Sequence, residues 1–225
     1  MERKYYEAYD DRYRQIHSQN LQWFYDEPTP IVLQTINAYG IPQSQKILEL
    51  GCGEGRDAYP LLQLGYDVRA TDISEAAVRY AQKKWPQYGK NFAVLDCISE
   101  TLEEKFDFIY AVAVVHMLVE DTHRDAFYRF IRTHLNEAGI ALICTMGDGT
   151  IERQSDIRTA FDLQNRIHEQ TGKQVQIAST SCRMVSFETL HKELQRNGLV
   201  LLQEGKTAAP PDFPQLMYVV VKGEE

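Results

Sequence analysis

The sequence predicts an α/β fold: a doubly wound, mostly parallel sheet with an antiparallel C-terminal edge strand and an N-terminal helical cap. Three observations carry this. Between Lys46 and Thr145 short apolar runs alternate with segments of helical periodicity, the pattern of a parallel sheet covered on both faces. The run Ile47-Leu48-Glu49-Leu50-Gly51-Cys52-Gly53-Glu54-Gly55-Arg56-Asp57 is a buried strand that stops at a glycine loop and feeds a helix. No helical segment separates the last two strand-like runs, Leu199 to Gln203 and Gln215 to Lys222, so they are expected to be antiparallel neighbours.

The elements follow in order. Tyr5, Tyr6, Tyr9, Tyr13 and Ile16 recur at helical spacing and open the cap. After a loop through Trp23, Phe24 and Tyr25, Thr29 reads as an N-cap with Pro30 in the first turn, and Gly40 stops that helix. Strand one is Lys46 to Leu50, and its crossover helix runs from about Arg56 to Leu64. Strand two, Asp67 to Ala70, ends at Thr71-Asp72, and Ser74 can cap the next helix. Strand three is Phe92 to Leu95, and strand four is Phe106 to about Val114. Phe127, Phe130, Ile131 and Leu135 share one stripe of a helix from Asp121 to Leu135. Asn136 to Gly139 closes it, and Ile140 to Thr145 forms strand five. A helix is expected near Ser155 to Gln170, and a capped one from Ser186 to Asn197.

At 225 residues the chain fits one domain, residues 1–225, with residues 1–40 as the cap and 146–185 as an insertion. Hydrophobic residues make up 44% and charged residues 25%, enough of each for a packed globular core and a solvated surface. No stretch approaches the roughly 18 apolar residues of a membrane span. The first residues lack the apolar core of a signal peptide, so the cytoplasm is the default location. Cys52, Cys97, Cys144 and Cys182 are widely spaced, with no zinc-type pairing, so free thiols and no metal are expected. A net charge of -8 argues against nucleic acid as a partner, because phosphate binding needs concentrated Lys and Arg.

The informative residues fall at strand ends, where open parallel sheets bind ligands. Gly51, Cys52 and Gly53 allow a backbone to approach a ligand closely, and the next helix aims free N–H groups there. Asp72 stands about twenty residues downstream, where a carboxylate can accept both hydroxyls of a ribose; the alternative is a helix-cap acid. Asp96 and Cys97 end strand three. His116 follows strand four, either as a base near the reacting centre or as a satisfied buried histidine. Arg56 is either a ligand group or surface charge. The glycine spacing departs from the dinucleotide fingerprint: the third glycine comes one position early, and Arg56 holds its place. That counts against a nucleotide-dependent oxidoreductase.

From Lys46 to Thr145 the set resembles the class I S-adenosylmethionine (SAM)-dependent methyltransferase family. The matching segments are Glu49 to Gly55, Ala70-Thr71-Asp72-Ile73-Ser74, Val94-Leu95-Asp96 and Phe106 to Tyr110. The fold implied is Rossmann-like. The resemblance implies that Glu49 and the glycine loop lie near the methionine end of SAM. It implies that Asp72 holds the ribose and Ile73 packs on adenine. Asp96 would receive the adenine amino group beside the Cys97 backbone. Ala111 and Val112 begin a stretch to His116 along the methyl side, and Arg56 is a candidate for the cofactor carboxylate.

The product would be S-adenosylhomocysteine, and no metal is called for. A base is needed only if the acceptor must lose a proton. His116 and a cap tyrosine, Tyr9 or Tyr13, are the candidates. The acceptor is expected to be a small molecule, since no recognition domain for a large partner is present. A protein or RNA methyltransferase, or a protein that binds SAM without turnover, is the alternative. The cap, with Tyr9, Tyr13, Trp23, Phe24 and Tyr25, is expected either to cover the acceptor pocket or to pack on the sheet edge. Gly147-Asp148-Gly149, Arg158, Phe161 and Arg183 of the insertion are expected to wall its other side.

Overall fold

The computed structural model describes residues 3–224. Its centre is a seven-stranded sheet built from β1 (Lys46–Leu50), β2 (Asp67–Asp72), β3 (Phe92–Val94), β4 (Phe106–Val112), β5 (Leu135–Met146), β10 (Leu199–Ala209) and β11 (Phe213–Gly223). The spatial order is β10-β11-β5-β4-β1-β2-β3. β1 to β5 are parallel, and β11 runs antiparallel to both β5 and β10. β1 and β4 lie in the middle, which is why both read as nearly continuous apolar runs.

Helices cover both faces because alternate residues of a strand point to opposite sides. Ile47 on β1 and Phe108 and Tyr110 on β4 pack with α2 (Pro30–Ala38), α3 (Ala58–Gln63) and α4 (Glu75–Lys84). Leu48, Leu50, Ile109 and Ala111 face the other layer, α5 (Asp121–His134) and α6 (Phe187–Arg196). The Ser74 and Ser186 hydroxyls cap α4 and α6, accepting from the backbone of Ala77 and Thr189. Thr29 does not cap α2 with its side chain; its hydroxyl donates to Asp57 instead.

Two expectations are corrected. Asn136 to Gly139 does not close α5. It is a bulge inside β5, where the register slips from Phe106↔Leu135 to Phe108↔Ile140. A Cβ on Gly139 would lie 3.0 Å from the carbonyl oxygens of Asn136 and Phe106, so a larger residue would push the bulge apart by a few tenths of an ångström.

The helix expected near Ser155 to Gln170 does not form. A two-residue bridge, β6 (Arg153–Gln154) with β9 (Arg183–Met184), brackets a hairpin of β7 (Leu163–Ile167) and β8 (Gln174–Ala178). The period-two pattern of β8 wins: Val175 and Ile177 are buried against Ile16 and Leu21, while Gln174 and Gln176 are exposed. Gly172, at φ +67°, makes the turn. The hairpin packs on α1 (Ala8–His17), so the insertion braces the cap. Among the described residues, no helix is long and apolar enough to cross a membrane.

Candidate functional site

The glycine loop is held by the neighbouring strand. Gly51 and Cys52 donate their N–H groups to the Thr71 carbonyl at 2.7 and 2.9 Å. Gly51 has φ +75° and Gly53 φ +53°, a region that side chains disfavour. A Cβ on Gly51 would lie 2.2 Å from Val114 Cγ2, so the loop and the end of β4 meet in direct contact. Ala113 makes that meeting possible. It adopts a left-handed φ of +57° without being glycine, and its N–H is tied to the Cys144 carbonyl at 2.9 Å.

These strand ends enclose a cavity of about 920 Å³, counting its opening to solvent. Glu49, Gly51, Cys52, Gly53 and Arg56 line it from β1 and the loop, Asp72 and Ile73 from β2, Asp96 and Cys97 beyond β3, and Val112 from β4. Tyr6, Tyr9 and Tyr13 from the cap, with Phe24 and Phe213, complete the lining.

Two predicted site residues are not among the lining groups. Ala111 is fully buried in the opposite packing layer, because its neighbour Val112 takes the cavity-facing position in the strand alternation. His116 is buried beyond Val114, with no partner on Nδ1. Burial, with Arg124 nearby, pushes its imidazole down to about 3, which leaves it neutral. None of the insertion residues expected to wall the pocket lines it. Arg158 is turned outward on Asp156, Arg183 binds the Val119 carbonyl and Asp121, and Phe161 lies under the Arg3 guanidinium.

The lining acids are held in different ways. Asp72 accepts the backbone N–H groups of Gly53 and Ser74, each at 2.8 Å. Burial pushes its carboxyl up to about 6, against the pull of those two donors. Burial also raises the Asp96 carboxyl. Lys4, whose Nζ donates to it at 2.8 Å, together with Ser99 and the Ile98 N–H, outweighs this and holds it below the usual range. Glu49 is raised well above the carboxylate range by burial and by Asp57. Its Oε2, and Nη1 of Arg56, have no hydrogen-bond partner. The Arg56 guanidinium lies against the adjoining rings of Phe24 and Phe213, 5.5 Å from each. Burial lifts the Tyr13 phenol well above its ordinary value.

The cap is fastened over this cavity. Asp10 accepts the Ser74 hydroxyl at 2.8 Å and the Ala76 N–H at 3.1 Å, at the start of α4. The Tyr5 hydroxyl accepts the N–H groups of Val119 and Glu120 at 2.9 and 3.1 Å. Tyr9 and Arg12 donate to the carbonyls of Ser181 and Ala178, so cap and insertion form one roof. Glu54 went unnoticed in the sequence. It lies inside the glycine loop and accepts the N–H groups of Trp23 and Phe24. Its position between two glycines was the available signal. Tyr6, read there as a cap residue, and Phe213, which precedes the last strand-like run, also prove to be cavity walls.

The strand order, the glycine loop and the acid at the end of β2 together define the class I SAM-dependent methyltransferase fold. Residues 47–139 match the model of the methyltransferase domain family. The probable S-adenosyl-L-methionine-dependent methyltransferase TehB of Haemophilus influenzae is 30% identical over 117 residues, 51% of this chain and 41% of that protein. The match therefore spans less than half the length of that curated relative. Among solved structures, the CcbJ methyltransferase of Streptomyces caelestis superposes with a TM-score of 0.69 at 16% identity, covering 96% of this chain and 99% of its own. A TehB-like SAM-dependent methyltransferase of Corynebacterium glutamicum gives 0.60 at 22% identity, covering 97% and 98%. The glycopeptide N-methyltransferase MtfA, complexed with sinefungin, gives 0.66 at 19% identity, covering 88% and 87%.

Proposed function

We infer that this chain is an enzyme that transfers the methyl group of SAM to a small-molecule acceptor. One observation carries the reading: a buried carboxylate oxygen on Glu49 and a buried guanidinium nitrogen on Arg56, neither within hydrogen-bond distance of an acceptor or donor, in the lining of an otherwise largely apolar cavity. Those two groups fit the ammonium and carboxylate of an amino-acid end. The methyltransferase domain match over residues 47–139 points the same way.

When bound, SAM supplies a methyl already activated on a positively charged sulfur. The chain's part is binding, orientation and exclusion of water. Glu49 and Arg56 hold the amino-acid end. Asp72, with both oxygens already aimed by backbone donors, accepts the ribose hydroxyls. Ile73 packs on adenine, and Asp96 with the Cys97 backbone receives its amino group. Gly51, Cys52 and Gly53 let the backbone come close, and Val112 borders the transferring methyl.

Tyr13 serves as a wall and a hydrogen-bond donor, because a phenol raised so far does not ionise near neutrality. His116 lies behind the lining, so neither side chain acts as base in this reading. The roof of Tyr6, Tyr9, Tyr13 and Phe24 favours a small acceptor with apolar or aromatic surface. The insertion contributes by bracing that roof.

The test is calorimetric titration with SAM, S-adenosylhomocysteine and NAD, followed by assay of S-adenosylhomocysteine release with a panel of small acceptors. Binding of the adenosyl ligands alone, with turnover on one acceptor, is expected. Binding of NAD alone overturns the reading.

A further inference from the structure

Glu49, one residue before the end of β1, is only 2% exposed, with Oε2 lacking a hydrogen bond in the cavity lining. The groups facing it come from every element packed around it. Cys52 belongs to the glycine loop, Arg56 and Asp57 to the entry of α3, Asp72 to the end of β2, and Tyr110 to β4. Two of these are carboxylates. The single cation, Arg56, is already committed to Asp57 at 3.3 Å and lies 3.6 Å from Asp212. Tyr110 Oη lies beside Glu49, where with Arg56 it favours the ionised carboxylate against burial and the two aspartates. An ionised Glu49 would thus be a third buried negative charge around a guanidinium that two aspartates already neutralise.

Resting on the reading that the cavity takes SAM, we propose that Glu49 is a carboxylic acid in the ligand-free protein and surrenders its proton to solvent when the ammonium group of the ligand's amino-acid end binds. The balance is simple. One O–H bond of Glu49 breaks, one proton passes to water, and a carboxylate–ammonium pair forms. No redox step or co-reactant is involved. Burial, and then Asp57, favour the protonated form in the free protein. The arriving ammonium reverses that preference by supplying the missing counter-charge.

Affinity then rises with pH, by about tenfold per unit, for as long as the free carboxyl is protonated and the ligand amine is charged. Asp72 is the competing source of protons, because ribose hydroxyls stabilise its ionised form. A ligand that keeps the ribose but lacks the amino-acid end separates the two.

The experiment is calorimetry on the full chain near pH 7 in buffers of different ionisation enthalpy, which counts protons released on binding. S-adenosylhomocysteine is compared with 5′-methylthioadenosine, and the wild type with Glu49→Gln. Release of about one proton with S-adenosylhomocysteine, near zero with methylthioadenosine and near zero with Glu49→Gln, is the expected result. S-adenosylhomocysteine binding without proton release, or with equal release from both ligands, overturns the proposal and leaves the SAM reading standing. Absence of binding by either ligand overturns both.

Discussion

Glu54, inside the glycine loop, is hydrogen-bonded to His17 Nε2 of the cap helix at 2.7 Å. The same carboxylate accepts the Trp23 and Phe24 N–H groups at 2.8 and 2.9 Å, and His17 is stacked on Tyr80 with ring centroids 4.3 Å apart. The loop that faces the cavity and the roof that covers it are therefore one hydrogen-bonded unit. Removing Glu54 leaves two backbone donors without a partner. Glu54→Ala should lower stability by about 2–4 kcal/mol, read from denaturant midpoints. It should also speed proteolysis near Trp23. Unchanged protease resistance would show that the cap is held by its other contacts.

Gly53→Val places a branched side chain at φ +53°, at a cost on the order of 1–2 kcal/mol. Its Cβ would stand 2.6 Å from Tyr13 Oη, so the phenol must move. Binding of S-adenosylhomocysteine should fall by at least about tenfold. The melting temperature should drop only by roughly 2–8 °C. Retained affinity in a folded variant means the loop is a turn and nothing more.

Asp72 gives two separate readouts. Asp72→Ala should weaken adenosyl-ligand binding by about 1.5–3 kcal/mol through the loss of charged hydrogen bonds, measured calorimetrically. The stability readout concerns pH. The folded carboxyl is pushed up to about 6 from an ordinary 3.8, so the native state keeps a proton that the unfolded chain releases between those values. Stability from this group is therefore lost as pH rises through that window. Asp72→Asn should gain on the wild type by up to about 3 kcal/mol across it. Parallel stability–pH curves for the two proteins would refute the assignment.

Arg124 on α5 and Glu193 on α6 form a fully buried pair, 2.6 Å between Nη2 and Oε2, joined by the Tyr128 hydroxyl. Arg124 Nη1 also donates to the carbonyls of Val115 and Leu118, just beyond β4. Arg124→Met strands a buried carboxylate and should cost about 3–5 kcal/mol. Arg124→Met combined with Glu193→Leu should recover most of that loss. A double variant as unstable as the single one would place the cost in the two carbonyls instead.

The parallel core was legible because its signals are local. β1 and β2 begin and the antiparallel final strands pair as their apolar runs suggest, and Ser74 and Ser186 cap where hydroxyls precede helical patterns. The hairpin at 163–178 was not legible. Its strands are stabilised by Val175 and Ile177 against α1, more than 150 residues earlier, and helix periodicity in a polar segment is a weak competitor to that burial.

By itself, then, the sequence determined the doubly wound sheet, its glycine loop and the strand ends at which Glu49, Asp72 and Asp96 gather. Each depends on residues close along the chain or on strand alternation. Only the tertiary structure decided which neighbours face the cavity. It took Val112 rather than Ala111, kept His116 behind the wall, and set Tyr6 and Phe213 in it. It also decided which charges stand unpaired. Burial and partner geometry are properties of segments far apart in sequence, so the buried Glu49 carboxyl, crowded by Asp57 and Asp72, shows itself only when β1, β2, β4 and α3 are packed together.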